Sequence, residues 1–142
     1  MLSKESKYAV RGVLYLAIHA TEKNKIGSAE IGEKANIPKP FLAKIFQKLS
    51  KEKLIRSVKG PKGGFYLSDK ELSKSLLDVI ECIDGLESFN TCFIGLPRCS
   101  DNNPCAIHKI AAPWRDELLA ELKIRTIAEM AEDAKLGNSR IF

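Results

Sequence analysis

Residues 37–68 read IPKPFLAKIFQKLSKEKLIRSVKGPKGGFYLS, and this stretch decides the fold. Pro38 ends whatever precedes it, and a helix opens near Pro40 and runs to about residue 51. At 100° per residue, Phe41, Leu42, Ile45, Phe46 and Leu49 share an arc of about 140°, the width of a core-facing stripe. Lys44, Lys48 and Lys51 stack a turn apart on the far side, flanked by Ala43 and Gln47. A helix with one dry face and a row of ammonium groups beside a small residue and an amide suits the major groove, where lysines meet phosphates and amides meet base edges. The plain alternative for such a row is a solvated charged face. After the helix, residues 54–58 (LIRSV) form a strand, residues 59–64 (KGPKGG) a turn and residues 65–67 (FYL) a returning strand. A basic hairpin behind that helix makes a wing carrying Arg56, Lys59 and Lys62. A Gly-rich loop with lysines can also cradle a nucleotide phosphate, but the spacing is not that of a P-loop.

Working towards the N-terminus, Ser28 reads as the N-cap of a short helix through Ala35, with Glu30 in its first turn, and Asn36 to Pro38 break it. Before it, apolar residues from Tyr8 to Ile18 recur too densely for a surface helix, so residues 3–21 form a mostly buried first helix. Helix, helix, helix and basic hairpin make a winged helix-turn-helix over residues 1–68. The residues expected at DNA are Ser28, Lys39, Pro40, Ala43, Lys44, Gln47, Lys48, Lys51, Arg56, Lys59 and Lys62. Charge agrees: residues 1–70 hold 15 Lys or Arg against 6 Asp or Glu, whereas residues 71–142 hold 8 against 12. A basic half beside an acidic one points to a polyanionic partner. The run from Val13 to Ala20 reads as a core helix rather than a leader, because Glu5 and Lys7 precede it and His19 interrupts it. With no apolar run near the roughly 20 residues that span a bilayer, a cytoplasmic protein is expected.

Towards the C-terminus, Ser75 with Asp78 caps a connecting helix within residues 69–90, and Gly85 ends it. Residues 91–108 then read TCFIGLPRCSDNNPCAIH, placing Cys92, Cys99, Cys105 and His108 in one turn-rich loop. Such density marks a metal site, and four unevenly spaced cysteines argue against a disulfide scaffold. Asn103 reads as an N-cap with Pro104 at the first helical position, which puts Cys105 and His108 on one helix face. That helix continues past a bend at Pro113 through Leu118, Leu119, Leu122 and Ile124. Thr126 with Glu129 caps a last short helix to about residue 134, and residues 135–142 are a tail. Residues 104–134, following an already complete small domain, are best used to pair two copies, since helix-turn-helix readers work with two-fold symmetry. Cys82 stands apart as a bystander.

Together, KYAVRGVLYLA (residues 7–17), residues 37–68, the cysteine loop ending in CAIH and PWRDELLAELKIRTIAEMA (residues 113–131) resemble the Rrf-two family of bacterial winged-helix transcription regulators, above all its iron-sulfur cluster regulators. The resemblance covers nearly the whole chain. It implies that the long helix forms a homodimer and that Cys92, Cys99 and Cys105 hold a [2Fe-2S] or [4Fe-4S] cluster that changes binding to double-stranded DNA. The first cysteine spacing, six residues, is one longer than in those regulators. A histidine separated from the third cysteine by two residues matches His108, whereas relatives that use a carboxylate of the partner's first helix would place it where this chain has Lys7. Lysine cannot replace a carboxylate, so His108 and a [2Fe-2S] cluster are expected. Structural zinc on the same Cys3His set, a metal-free thiol-responsive regulator, and an iron-sulfur electron carrier or delivery protein are the alternatives. The expected protein is a regulator and not an enzyme.

Overall fold

The computed structural model describes residues 2–140; Met1 and the last two residues of the expected tail lie outside the described residues. The chain is mainly helical with a two-stranded antiparallel hairpin. Helix α1 (Lys4–His19) is its central member, and α2 (Ser28–Lys34), α3 (Lys39–Lys51), α5 (Leu76–Asp84) and α7 (Ile127–Lys135) pack on it. Between these lie β1 (Arg56–Val58), β2 (Gly64–Tyr66), a one-turn α4 (Asp69–Leu72), a 3-10 turn (Leu86–Asn90) and α6 (His108–Ile124).

Burial on α3 follows the helical wheel, with Leu42, Ile45, Phe46 and Leu49 each at most 3% exposed. Phe46 meets the ring of Phe65 edge-on at 5.0 Å and fills the notch left by Gly12 of α1, where a Cβ would stand 2.7 Å from the Phe46 ring. Glycine there lets the two helices approach closely. The turn between α2 and α3 is a Schellman closure: Asn36 adopts φ 53° and the Ile37 N–H reaches back to the Gly32 carbonyl at 2.8 Å. Lys53 (φ 56°) and the Leu54 N–H, bonded to the Leu49 carbonyl at 2.9 Å, close α3 in the same way. Asparagine tolerates the left-handed region; lysine does so at a cost.

Several boundaries differ from the expectations. Gly27, not Ser28, is the N-cap of α2, because the ladder starts at the Gly27 carbonyl with the Ile31 N–H and leaves Ser28 inside the helix. Leu54 and Ile55 are buried but precede β1, which begins at Arg56 after the left-handed Lys53. Beyond the hairpin, Ile26 bridges to Phe65 by two backbone bonds of 3.0 and 2.8 Å, so the wing is stitched to the α1–α2 connection. At its tip a Cβ on Gly63 would collide with the Val58 carbonyl oxygen, so this turn needs glycine.

The core does not stop at residue 68. Leu76 and Val79 of α5 and Ile127 and Ala131 of α7 belong to the same buried cluster as α1 and α3. The connecting stretch 69–90 is α4, α5 and the 3-10 turn rather than one helix. As read from the sequence, Ser75 with Asp78 and Thr126 with Glu129 form capping boxes at α5 and α7. The helix expected from Pro104 begins instead at His108. The Cys105 carbonyl accepts from the His108 N–H (3.0 Å) in a three-residue turn, and the four-residue ladder starts only at Ile107 with Ala111. Asn103 therefore caps nothing, and Cys105 lies outside the helix that His108 opens. Among the described residues no helix is long and apolar enough to cross a membrane.

Candidate functional site

On α3, Lys39, Pro40, Ala43, Lys44, Gln47, Lys48 and Lys51 are all exposed, as is Ser28 at the start of α2. The buried stripe fixes which of them stand furthest out: the opposite direction is occupied by Pro40, Lys44, Gln47 and Lys51. Lys48 lies on the flank, where its Nζ donates to the Ile83 carbonyl of α5 at 3.2 Å. Lys44 comes within 3.9 Å of Glu5, a loose and largely solvated pair. In the wing, Lys59 and Lys62 are exposed at the tip.

Arg56, also expected at DNA, keeps its side chain 47% exposed while its Nε is engaged within the chain. Its Nε donates to both oxygens of Glu71 at 3.1 Å, and Glu71, only 2% exposed, also accepts from the Ser68 N–H (2.8 Å) and hydroxyl (2.5 Å). Burial pushes this carboxyl up, but Ser68 and Arg56 together outweigh it and hold it below the usual carboxylate range. Arg56 thus fastens the base of the wing to α4, and the signal for it in the sequence is the capping box Ser68-x-x-Glu71.

The cysteine loop begins where Phe89, 2% exposed, seats the 3-10 turn against Leu77 and Ile80. The Cys99 N–H bonds to the Asn90 carbonyl at 3.1 Å and closes the segment between them, while the Gly95 N–H turns back to the Cys92 carbonyl at 2.9 Å. Burial of Cys92 pushes its thiol up, but the N–H groups of Ile94, Leu96 and Gly95 and the thiol of Cys105 prevail and hold it below the usual thiol range. Cys92 and Cys105 are thereby one couple. The second is Cys99 with His108, Sγ to Nδ1 3.3 Å, and the other ring nitrogen, Nε2, lies 2.7 Å from Asp101 Oδ1. The guanidinium of Arg115 bonds to Asp116 (2.9 Å) and reaches the Cys99 sulfur. A cavity of about 220 Å³, lined by Phe89, Cys92, Phe93, Cys99, Trp114 and Arg115 among others, adjoins both couples. Among the described residues, no three His, Cys, Asp or Glu side chains converge on one point. All four cysteines are free thiols, and Cys82 sits apart near Lys48 and Glu52, its thiol pushed up by burial. Neither Asp101 nor Arg115 was singled out from the sequence; an Asp seven residues before a candidate histidine is no motif, and only the folded loop joins them.

The family model for Rrf2, described as "Iron-dependent Transcriptional regulator", matches residues 2–133. The chain belongs to the Rrf2 family. Over 132 residues this Rrf2 protein is 34% identical to an Aquifex aeolicus (strain VF5) protein provisionally described as an HTH-type transcriptional regulator, a match covering 92% of this chain and 90% of the relative. It is 33% identical over 156 residues to the HTH-type transcriptional regulator IscR of Aliivibrio salmonicida, covering 99% and 90% of the two. With IscR of Vibrio vulnificus (strain YJ016) the identity is 32% over 115 residues, 81% of this chain and 66% of that one. Among solved structures, T. potens IscR superposes with a TM-score of 0.71 at 21% identity, covering 99% and 92% of the chains. CymR, the global cysteine regulator of B. subtilis, superposes at 0.73 with 18% identity, covering 93% and 96%. At those identities the structures speak for the fold, which in this Rrf2 chain is the winged helix-turn-helix with a long C-terminal helix.

Proposed function

We propose that this protein is a DNA-binding transcription regulator, homodimeric and cytoplasmic, whose operator binding follows the state of an iron-sulfur cluster held by Cys92, Cys99, Cys105 and His108; it is not an enzyme. Residues 1–68 read DNA through Lys39, Pro40, Ala43, Lys44, Gln47 and Lys51 of α3, Ser28 of α2, and Lys59 and Lys62 of the wing. Lys48 and Arg56 complete this set while each is also bonded within the chain, to Ile83 and to Glu71. Residues 91–108 sense, and the helix after them pairs the copies.

The observation that carries this reading is the division of the four donors into two couples beside one cavity. Structural zinc asks four donors to stand about 2.0–2.3 Å from a single centre. A [2Fe-2S] cluster asks for two donors on each of two irons, and replacing one thiolate by imidazole is familiar chemistry there. Bound, the cluster would supply the response to iron supply, redox poise or nitric oxide. The chain supplies the rest. Tying Cys105 and His108 to Cys92 and Cys99 orders the entry to α6, offsetting the entropy of a loop with little apolar content of its own.

Protein purified without oxygen should absorb between about 300 and 600 nm and contain equal iron and sulfide. Cys92→Ala, Cys99→Ala and Cys105→Ala should each abolish the absorption, while Cys82→Ala should not. Zinc at one equivalent per chain, with no iron or sulfide, would sink the reading. A second reading, a thiol-responsive regulator without metal, is favoured by the Cys105 thiol's helping to hold that of Cys92 below the usual range. It requires that metal-free protein change its DNA affinity when those two sulfurs are oxidised to a disulfide.

A further inference from the structure

The geometry points to Asp101 as a positioning residue that selects Nδ1 of His108 as the ligating nitrogen, an assignment that rests on the cluster reading above. The imidazole side chain is 9% exposed and held between two neighbours on opposite edges. Nε2 stands 2.7 Å from Asp101 Oδ1, and Nδ1 stands 3.3 Å from Cys99 Sγ. An ionised carboxylate only accepts hydrogen bonds, so the ring must present its N–H from Nε2, which leaves the lone pair of a neutral ring on Nδ1. That lone pair faces the sulfur already counted among the donors. A carboxylate behind a ligating histidine fixes its tautomer and makes it a stronger donor. Stronger donation favours the oxidised state of the iron, so Asp101 lowers the reduction potential. The Asp101 side chain is 96% exposed, so water competes for its oxygens and the effect should be moderate. The same exposure means that substituting it removes no packing.

The experiment uses the full chain, loaded with its cluster, in five forms: wild type, Asp101→Asn, Asp101→Glu, His108→Cys, and Asp101→Asn combined with His108→Cys. Wild-type protein carrying histidine labelled with 15N at Nδ1 should show 15N coupling to the reduced cluster in pulsed EPR. Asp101→Asn should raise the midpoint potential and Asp101→Glu should restore most of it. In the His108→Cys background the same Asn substitution should have no effect, because the ring it acts through is gone. A strong, directly ligated coupling carried by the unlabelled Nε2 with only a weak one from labelled Nδ1, or an equal potential shift in both backgrounds, overturns the inference while leaving the cluster in place. A wild-type chain that takes up no iron overturns the cluster reading itself, and this assignment with it.

Discussion

Glu71 is the residue on which the wing's attachment depends, because a buried carboxylate is tolerated only while Ser68 and Arg56 satisfy it. Glu71→Gln keeps the shape but weakens those bonds, and should destabilise the protein by about 1–3 kcal/mol at neutral pH. Since the folded carboxyl is held below its unfolded value, its contribution is present above about pH 4.3 and is lost as the pH falls through the folded value. Urea midpoints of wild type and variant should therefore lie apart at neutral pH and draw together in acid; a separation that stays constant would deny the carboxylate this role. The pieces of this arrangement stand in the sequence as Ser68-x-x-Glu71. Arg56 was legible only as a cation in a basic hairpin, because nothing local tells an arginine aimed at a phosphate from one bonded to a carboxylate fifteen residues on.

At the scale of elements, the legible helices were those whose stripe and cap agree. The wheel of α3 matches its buried face, and the capping boxes of α5 and α7 stand where the residues put them. The start of α6 misled because Asn103-Pro104 carries a local cap signature that a turn at Cys105 overrides. The four-residue α4 and the 3-10 turn are too short for any periodicity to announce them. The structure also sharpens the DNA hypothesis within α3. Lys51→Ala and Lys44→Ala should weaken binding to all sequences and flatten its salt dependence, and Gln47→Ala should relax base preference by about 1–3 kcal/mol if its amide makes a bidentate contact. Lys48→Ala should change the salt slope less, since its ammonium is turned to the Ile83 carbonyl. Salt titrations of operator binding by the four variants check this, and equal slopes for Lys48→Ala and Lys51→Ala would refute it.

For the whole molecule, the sequence reading of α6 as a pairing helix meets a division of its faces. Leu119 and Leu122 pack inward against the chain's own core, whereas Ile110, Trp114 and Ile124 are 76%, 54% and 73% exposed. Leucine content alone could not separate those faces, because inward and outward positions are both apolar. Pairing should therefore fail in Trp114→Lys or Ile110→Lys, which would bury an unpaired charge in the interface, while folding is retained; sedimentation that still finds dimers at micromolar concentration would place the interface elsewhere. One feature of the base of this assembly governs how such a pair could respond. The Ile127 N–H bonds to the Lys74 carbonyl at 2.8 Å and Ser75 bridges to Thr126, joining the foot of α5 to the foot of α6. As a polymer, the segment between those joints is a closed ring and not an open strand. At the opposite end from that stapled foot, Asp84 grips the Ser3 hydroxyl and N–H and Ile83 holds Lys48. Those bonds tie the free end of the ring to the first turn of α1 and the flank of α3.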